Sequence, residues 1–243
     1  SNIAANLGLS RSTTHRLLKT LQVAEFVVQS PITLRYSLGP LVQYLADYSN
    51  LYHHELLFCS LPEMEKLRNI TEETIVLAIR LGLRRVYLEE LPSFHPLKYA
   101  AGKGYCPPLY AGATGKVLLS EMPPADLLRL LDAITLEKIG PNTITNRNIL
   151  LKEIEDIRRK RYAVSYSELV AGAVSVAVPI NNYSQPVAMC VLGPENRMAN
   201  RISKILRELR PSALAIEKAL SKGQGGARLT RTLIINSGSD QGK

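Results

Sequence analysis

The sequence predicts an α+β chain in two parts. A small helix-turn-helix with a β-hairpin wing comes first, and a larger domain follows, built on a central antiparallel sheet flanked by helices. Three observations carry this. Apolar residues at helical spacing are interrupted by Gly8 near the start. A pair of short strand-like segments follows at once. From Leu61 onward, helix-type and strand-type patterns alternate, with several strands adjacent to one another.

Ile3, Ala4 and Leu7 share one helical face, and Gly8 stands where a helix ends in a left-handed residue. Leu9 returns to the core. Ser10 suits the N-cap of a second helix, since its hydroxyl can accept from free backbone N–H groups. Thr14, Leu17, Leu18 and Leu21 then repeat at helical spacing. The other face carries Arg11, Ser12, Thr13, His15, Arg16 and Lys19. A recognition helix needs this mixture, because N-terminal side chains reach base edges while hydroxyls and cations hold phosphates. The same pattern also fits a polar surface helix. Glu25–Gln29 and Leu34–Leu38 are strand-like around a Ser30–Thr33 turn, which predicts a wing with Arg35 placed to touch phosphate.

Leu41, Leu45, Tyr48, Tyr52 and Leu56 recur at near-heptad spacing and predict a linker helix over 40–58. It reads either as a connector packed on its own domain or as a dimer seam, and a two-fold DNA site favours the seam. Residues 59–222 then read as one domain. Helices are predicted over Pro62–Asn69, Thr114–Met122, Pro124–Ile134, Asn148–Lys160 and Ala199–Lys222. Strands are predicted over Thr74–Leu81, Arg84–Leu91, Leu97–Ala101, Ala163–Tyr166, Ala173–Pro179 and Val187–Leu192. The Gly- and Ser-rich tail, residues 223–243, is expected to be flexible.

Ala111-Gly112-Ala113-Thr114-Gly115 leads directly into a helix. Small side chains there expose backbone N–H groups at a helix N-terminus, a place that favours an anion without help from Arg or Lys. Close packing of the loop on the sheet is the alternative.

Composition narrows the classes. The 243 residues are 46% hydrophobic and 21% charged, ordinary for a globular protein. There is no apolar run of about 18 residues, so no membrane span is predicted, and the first residues lack a signal-peptide pattern. The net charge of +9 favours a polyanionic partner, although many solvated surfaces are basic. Cys59, Cys106 and Cys190 are odd in number and far apart, which fits a reducing cytoplasm rather than a disulfide framework. No cofactor, metal site or enzyme activity is predicted. Gly115-Lys116 fails as a phosphate loop, with Tyr110 and Val117 where glycine and Ser/Thr are required. Gly102-Lys103-Gly104 is followed by Pro107 instead of the third glycine of a dinucleotide fingerprint. There is no Gly-x-Ser-x-Gly elbow. His53 and His54 diverge on a helix and do not converge with Cys59 on a metal, and Glu89-Glu90 reads as a solvated pair.

The stretch Leu9 to Leu21, with Tyr36-Ser37-Leu38-Gly39 after the wing, resembles the isocitrate-lyase-regulator (IclR) family of bacterial transcription factors. Leu109 to Leu119, Gly172 to Ile180 and Leu192-Gly193-Pro194 resemble that family's GAF-like effector-binding domain, so the resemblance covers roughly residues 1–222. It implies a ligand-responsive DNA-binding regulator, expected to repress, that binds a double-stranded DNA operator as a homodimer or dimer of dimers. It implies DNA contacts from Arg11, Ser12, Thr13, His15, Arg16, Lys19 and Arg35. It also implies an effector site at Ala111, Gly112, Ala113, Thr114 and Gly115, walled by Ser165, Ser175, Cys190 and Leu192. Those wall residues are mostly small or apolar, where family members often carry acids or hydroxyls at some positions, which implies a small carboxylate with a weakly charged body. In the family a further helix precedes the first one here; without it the winged helix-turn-helix is expected to be poorly buried. A sensor or enzyme on a GAF-like fold without DNA binding is the alternative.

Overall fold

The computed structural model describes residues 2–42, 44–45 and 53–236. They divide into two compact units, 1–55 and 56–243, each described here by itself.

In the smaller unit, helix α1 (Asn2–Leu7) and helix α2 (Arg11–Val23) form the helix-turn-helix. Gly8 has φ +63°, as its place in the turn requires. The Ser10 hydroxyl accepts from the Thr13 N–H at 3.1 Å and caps α2. Strands β1 (Val27–Gln29) and β2 (Tyr36–Leu38) pair antiparallel, with Val28 opposite Ser37. The wing turn closes through Ser30 N to Arg35 O at 2.9 Å. The unit has little interior: Ala4 and Thr14 are buried, while Leu7, Leu17 and Val23 remain 63%, 49% and 79% exposed.

The larger unit is a three-layer sandwich. Helix α3 (His54–Thr71) leads to strands β3 (Thr74–Leu81) and β4 (Arg84–Leu91). Helices α4 (Ala113–Ser120), α5 (Pro124–Asp132) and α6 (Arg147–Lys160) follow. Strands β5 (Ala163–Tyr166), β6 (Ala173–Ile180) and β7 (Val187–Pro194) complete an antiparallel sheet in the order β4-β3-β7-β6-β5. A short helix α7 (Glu195–Met198) and a 3-10 turn lead into the closing helix α8 (Ile202–Asn236).

Side-chain alternation assigns the two faces. Ile75, Leu77 and Ile79 of β3, Val174, Val176 and Val178 of β6, and Val187, Met189 and Val191 of β7 pack against α3 and α8. The opposite face carries Ala78, Ala177, Ala188 and Cys190 and packs against α4, α5 and α6. One face is thus built from large side chains and the other largely from small ones. The small ones let α4 approach the sheet closely.

The structure departs from the sequence expectations in four places. Residues 54–71 form one helix through Pro62, not a linker helix ending at Phe58 followed by a second helix. Leu56, Ser60, Met64, Leu67 and Thr71 form a buried stripe across the proline, and this packing outweighs its cost of about 3 kcal/mol. Within the linker region Leu41 and Leu45 are helical and Leu56 lies in the core of the larger unit, while Tyr48 and Tyr52 fall outside the described residues. Leu97–Ala101 is not a strand. Its Ala101 N–H, like that of Gly102 beyond it, is taken by the Glu90 carboxylate at 3.1 and 3.0 Å, so neither joins a ladder. Glu90 is accordingly 8% exposed rather than half of a solvated Glu89-Glu90 pair. Helix α8 continues to Asn236 instead of ending near Lys222, through Gly223, Gly225 and Gly226, and no proline follows Pro211 to break it. Among the described residues, no helix is long and apolar enough to cross a membrane.

Leu67 is fully buried between α3 and the sheet. Leu67→Ala is expected to lower unfolding free energy by about 2–5 kcal/mol. Ile149→Ala, at a position 56% exposed, is expected to change it by less than about 0.5 kcal/mol. Urea denaturation of the two variants checks the assignment of the core.

Candidate functional site

The small-residue face of the sheet leaves a cavity of about 120 Å³ where α4 begins. Gly112, Ala113 and Thr114 line it from the loop and first turn of α4. Ser165 of β5, Ser175 of β6, and Cys190 and Leu192 of β7 line it from the sheet. Register brings these together: Ser165 is paired with Ser175, and Ser175 with Leu192. Of the loop residues predicted for the site, Ala111 and Gly115 do not line the cavity. The Ala111 carbonyl accepts from Arg85 at 2.7 Å. Gly115 lies against the chain at Leu109, where any Cβ would collide with the Leu109 carbonyl oxygen.

The loop amides expected to be open to an outside anion have internal partners. Gly112 N–H donates to Glu168 Oε2 at 2.8 Å, and Ala113 N–H donates to Ser175 Oγ at 3.3 Å. The N-terminus of α4 therefore already holds a carboxylate, from the chain itself. That carboxylate belongs to a buried cluster. Lys116 Nζ, fully buried, lies 2.5 Å from Glu168 Oε1 and 2.5 Å from Glu153 Oε1.

Sequence reasoning missed Arg85, Glu168 and the tyrosines of the cavity wall. Arg85 is 1% exposed on β4 and borders the cavity with Tyr87, Tyr99 and Tyr105. Its Nη1 donates to the carbonyls of Pro108 and Ala111 at 2.5 and 2.7 Å and so shapes the loop before α4. Tyr87 and Tyr105 meet edge to face at 5.4 Å. The expectation of a site without Arg or Lys is corrected by Arg85. In the strand pattern, Arg85 and Tyr87 share a face with two-residue spacing, a signal available beforehand but indistinguishable from an exposed edge. Burial pushes the Cys190 thiol up to about 11, the Thr114 hydrogen bond and the Arg85 charge opposing this only in part.

On the smaller unit, Arg11, Ser12, His15, Arg16 and Lys19 are exposed along α2, Thr13 is half-buried, and Arg35 is exposed on the wing. Ser12, His15, Arg16 and Lys19 line one shallow open groove with Thr20, Val23 and Ala24. Ser12 and Thr13 hydroxyls also engage the capping Ser10, at 3.0 and 2.8 Å. Residues 1–55 hold Arg11, Arg16, Lys19 and Arg35 against Glu25, Asp47 and Glu55, a net +1 of the chain's +9. The overall charge is therefore no measure of this surface; the cations of α2, with no acid on the helix, are.

A helix-turn-helix with a wing, paired with a domain that encloses a small-molecule cavity, defines a ligand-responsive DNA-binding transcriptional regulator. Residues 48–218 match the domain described as "Bacterial transcriptional regulator IclR C-terminal", and residues 1–31 match the "IclR helix-turn-helix domain". The chain belongs to the IclR family. It is 31% identical over 200 residues to the HTH-type transcriptional repressor AllR of Escherichia coli K12, spanning 82% of this chain and 73% of the relative. The AllR repressor of Salmonella typhimurium is 30% identical over the same shares. Among solved structures, an IclR transcriptional regulator from Alicyclobacillus acidocaldarius aligns with TM-score 0.74 at 28% identity, covering 90% of this chain and 89% of that one.

Two outcomes follow from the site's chemistry. Lys116→Met leaves the Glu168 carboxylate buried beside a helix end without its ammonium, and is expected to cost about 3–5 kcal/mol in a denaturant titration. Cys190, held as a neutral thiol, is expected to resist iodoacetamide at pH 8 in the folded chain and to react once the chain is unfolded, as read by mass spectrometry.

Proposed function

We propose that this regulator binds a palindromic double-stranded DNA operator as a dimer or pair of dimers, represses from it, and releases or tightens its hold when a small carboxylate enters the cavity at the start of α4. One observation carries the ligand half of this reading. Seven positions, three named from the small-residue stretch that opens α4 and four from the family likeness, border a single cavity. The lining is mostly small or aromatic, with few charged groups, which suits a compact acid with an apolar body. The AllR relatives are repressors by name, and repression is taken for this chain on that likeness.

DNA is read by α2 and the wing. Arg16 and Lys19 are one and two turns into the helix on its exposed side and hold phosphate, while Ser12, Thr13 and His15 sit nearer the base edges. Arg11 opens the helix, and Arg35 reaches the flanking backbone. A two-fold operator asks for a two-fold protein. The sensor without DNA binding stands second; the acid-free cationic face of α2 argues against it.

Gel-shift titration across salt concentrations tests the DNA half. Arg16→Ala with Lys19→Ala is expected to weaken binding at low salt and to reduce the salt slope by about two. Unchanged affinity and slope would remove α2 from the interface. Thermal unfolding with pyruvate, gluconate or benzoate tests the cavity. Binding at about 100 times Kd adds about 2.7 kcal/mol to stability. Ala173→Phe, which fills the cavity from a half-exposed position, is expected to abolish that shift while the variant still unfolds cooperatively. A shift that survives this change places the ligand elsewhere.

A further inference from the structure

We propose that Arg85 receives the ligand's carboxylate, and that Glu168 on the same cavity selects a ligand with one negative charge and a hydroxyl or ammonium donor. This rests on the cavity reading given above and names the ligand class for it.

The argument begins with the buried charges. Among the described residues, Glu73 is held by Arg197 at 2.6 and 2.7 Å, Glu168 by Lys116, and Glu90 by two loop amides. Arg85 is as buried as any of them, at 1% exposure, and forms no ion pair among the described residues. Its Nη1 is occupied by two carbonyls, but its Nε is buried and has no hydrogen-bond partner. A guanidinium held out of water with an unmatched N–H and no counter-charge is costly. This one borders a cavity, and its Nη2 lies 3.3 Å from where a Cβ on cavity-lining Gly112 would stand. A carboxylate entering the cavity beside Gly112 supplies the missing counter-charge and can accept from Nη2.

Glu168 sets the second requirement. Each of its carboxylate oxygens has one protein donor, Lys116 Nζ or Gly112 N, and each keeps a further lone pair. It also borders the cavity. A second carboxylate on the ligand would meet this negative charge in a site of low dielectric, which disfavours dicarboxylates. A hydroxyl or ammonium on the ligand would donate to it instead. The body between the two groups lies against Tyr87, Tyr99 and Tyr105, so a short aliphatic or an aromatic hydroxy or amino acid fits.

The test uses the full chain and matched probes. Lactate and mandelate are compared with propionate and phenylacetate, which lack the hydroxyl. Lactamide and mandelamide lack the charge, and malonate doubles it. Calorimetric titration is expected to rank the hydroxy acids first, the plain acids several-fold weaker, and the amides and malonate at least about tenfold weaker than the hydroxy acids. Arg85→Gln is expected to erase the preference of acid over amide, and Glu168→Gln to erase the exclusion of malonate. If either variant fails to fold, the ranking in the unaltered chain decides. Amides binding as tightly as acids, or malonate as tightly as lactate, would overturn the assignment. If the acids bind and Ala173→Phe blocks them while Arg85→Gln keeps the original ranking, the cavity stands and Arg85 is excluded from its chemistry. If no acid binds at up to about 50 mM, the carboxylate reading itself falls.

Discussion

The larger unit depends on one buried ion pair. Lys116, fully buried on α4, holds Glu168 from the segment after β5, and the same carboxylate accepts from Gly112 at the start of α4. The pair ties the helix to a loop more than fifty residues away in sequence. It also fills the electropositive end of α4 from within. The lysine's second carboxylate, Glu153 of α6, joins the third element. Removing one member leaves buried charge without compensation, so the cluster fixes the loop that roofs the cavity as firmly as the apolar core fixes the sheet.

The sheet explains why a cavity exists where it does. Large side chains on one face form a continuous core with α3 and α8. Small ones on the other face bring α4 close and leave room at its first turn, which Arg85 and the three tyrosines border without filling. Glu90, by accepting from Ala101 and Gly102, and Tyr99, by donating to Ala171 at 2.9 Å, hold the irregular 99–102 segment across the opening. The smaller unit works by a different economy: its helices carry local signals strong enough to define them, while most of its apolar side chains stay accessible.

Local patterns were sufficient where a single element decides the outcome. The bounds of β3, β4 and β5 match the alternation in the sequence residue for residue, and Ser10 caps α2 as its hydroxyl predicts. The grouping of Ser165, Ser175, Cys190 and Leu192 with Gly112 to Thr114 was legible only through a family likeness, since their spacing along the chain carries no geometric information until strand register is known. The Leu97–Ala101 segment was misread because its apolar, extended pattern says nothing of the Glu90 carboxylate that takes its amides.

What the sequence by itself determined is the set of elements: periodicity, caps and turns are written within a few residues of one another, so they need no partner to be read. The charge chemistry of the cavity was decided only by the tertiary structure. Arg85, Lys116 and Glu168 look in the sequence like ordinary surface ions, because most such residues are solvated. Burial, which depends on contacts between distant segments, is what turns one of them into an internal cap, one into its counter-ion, and one into a guanidinium with an N–H still to satisfy.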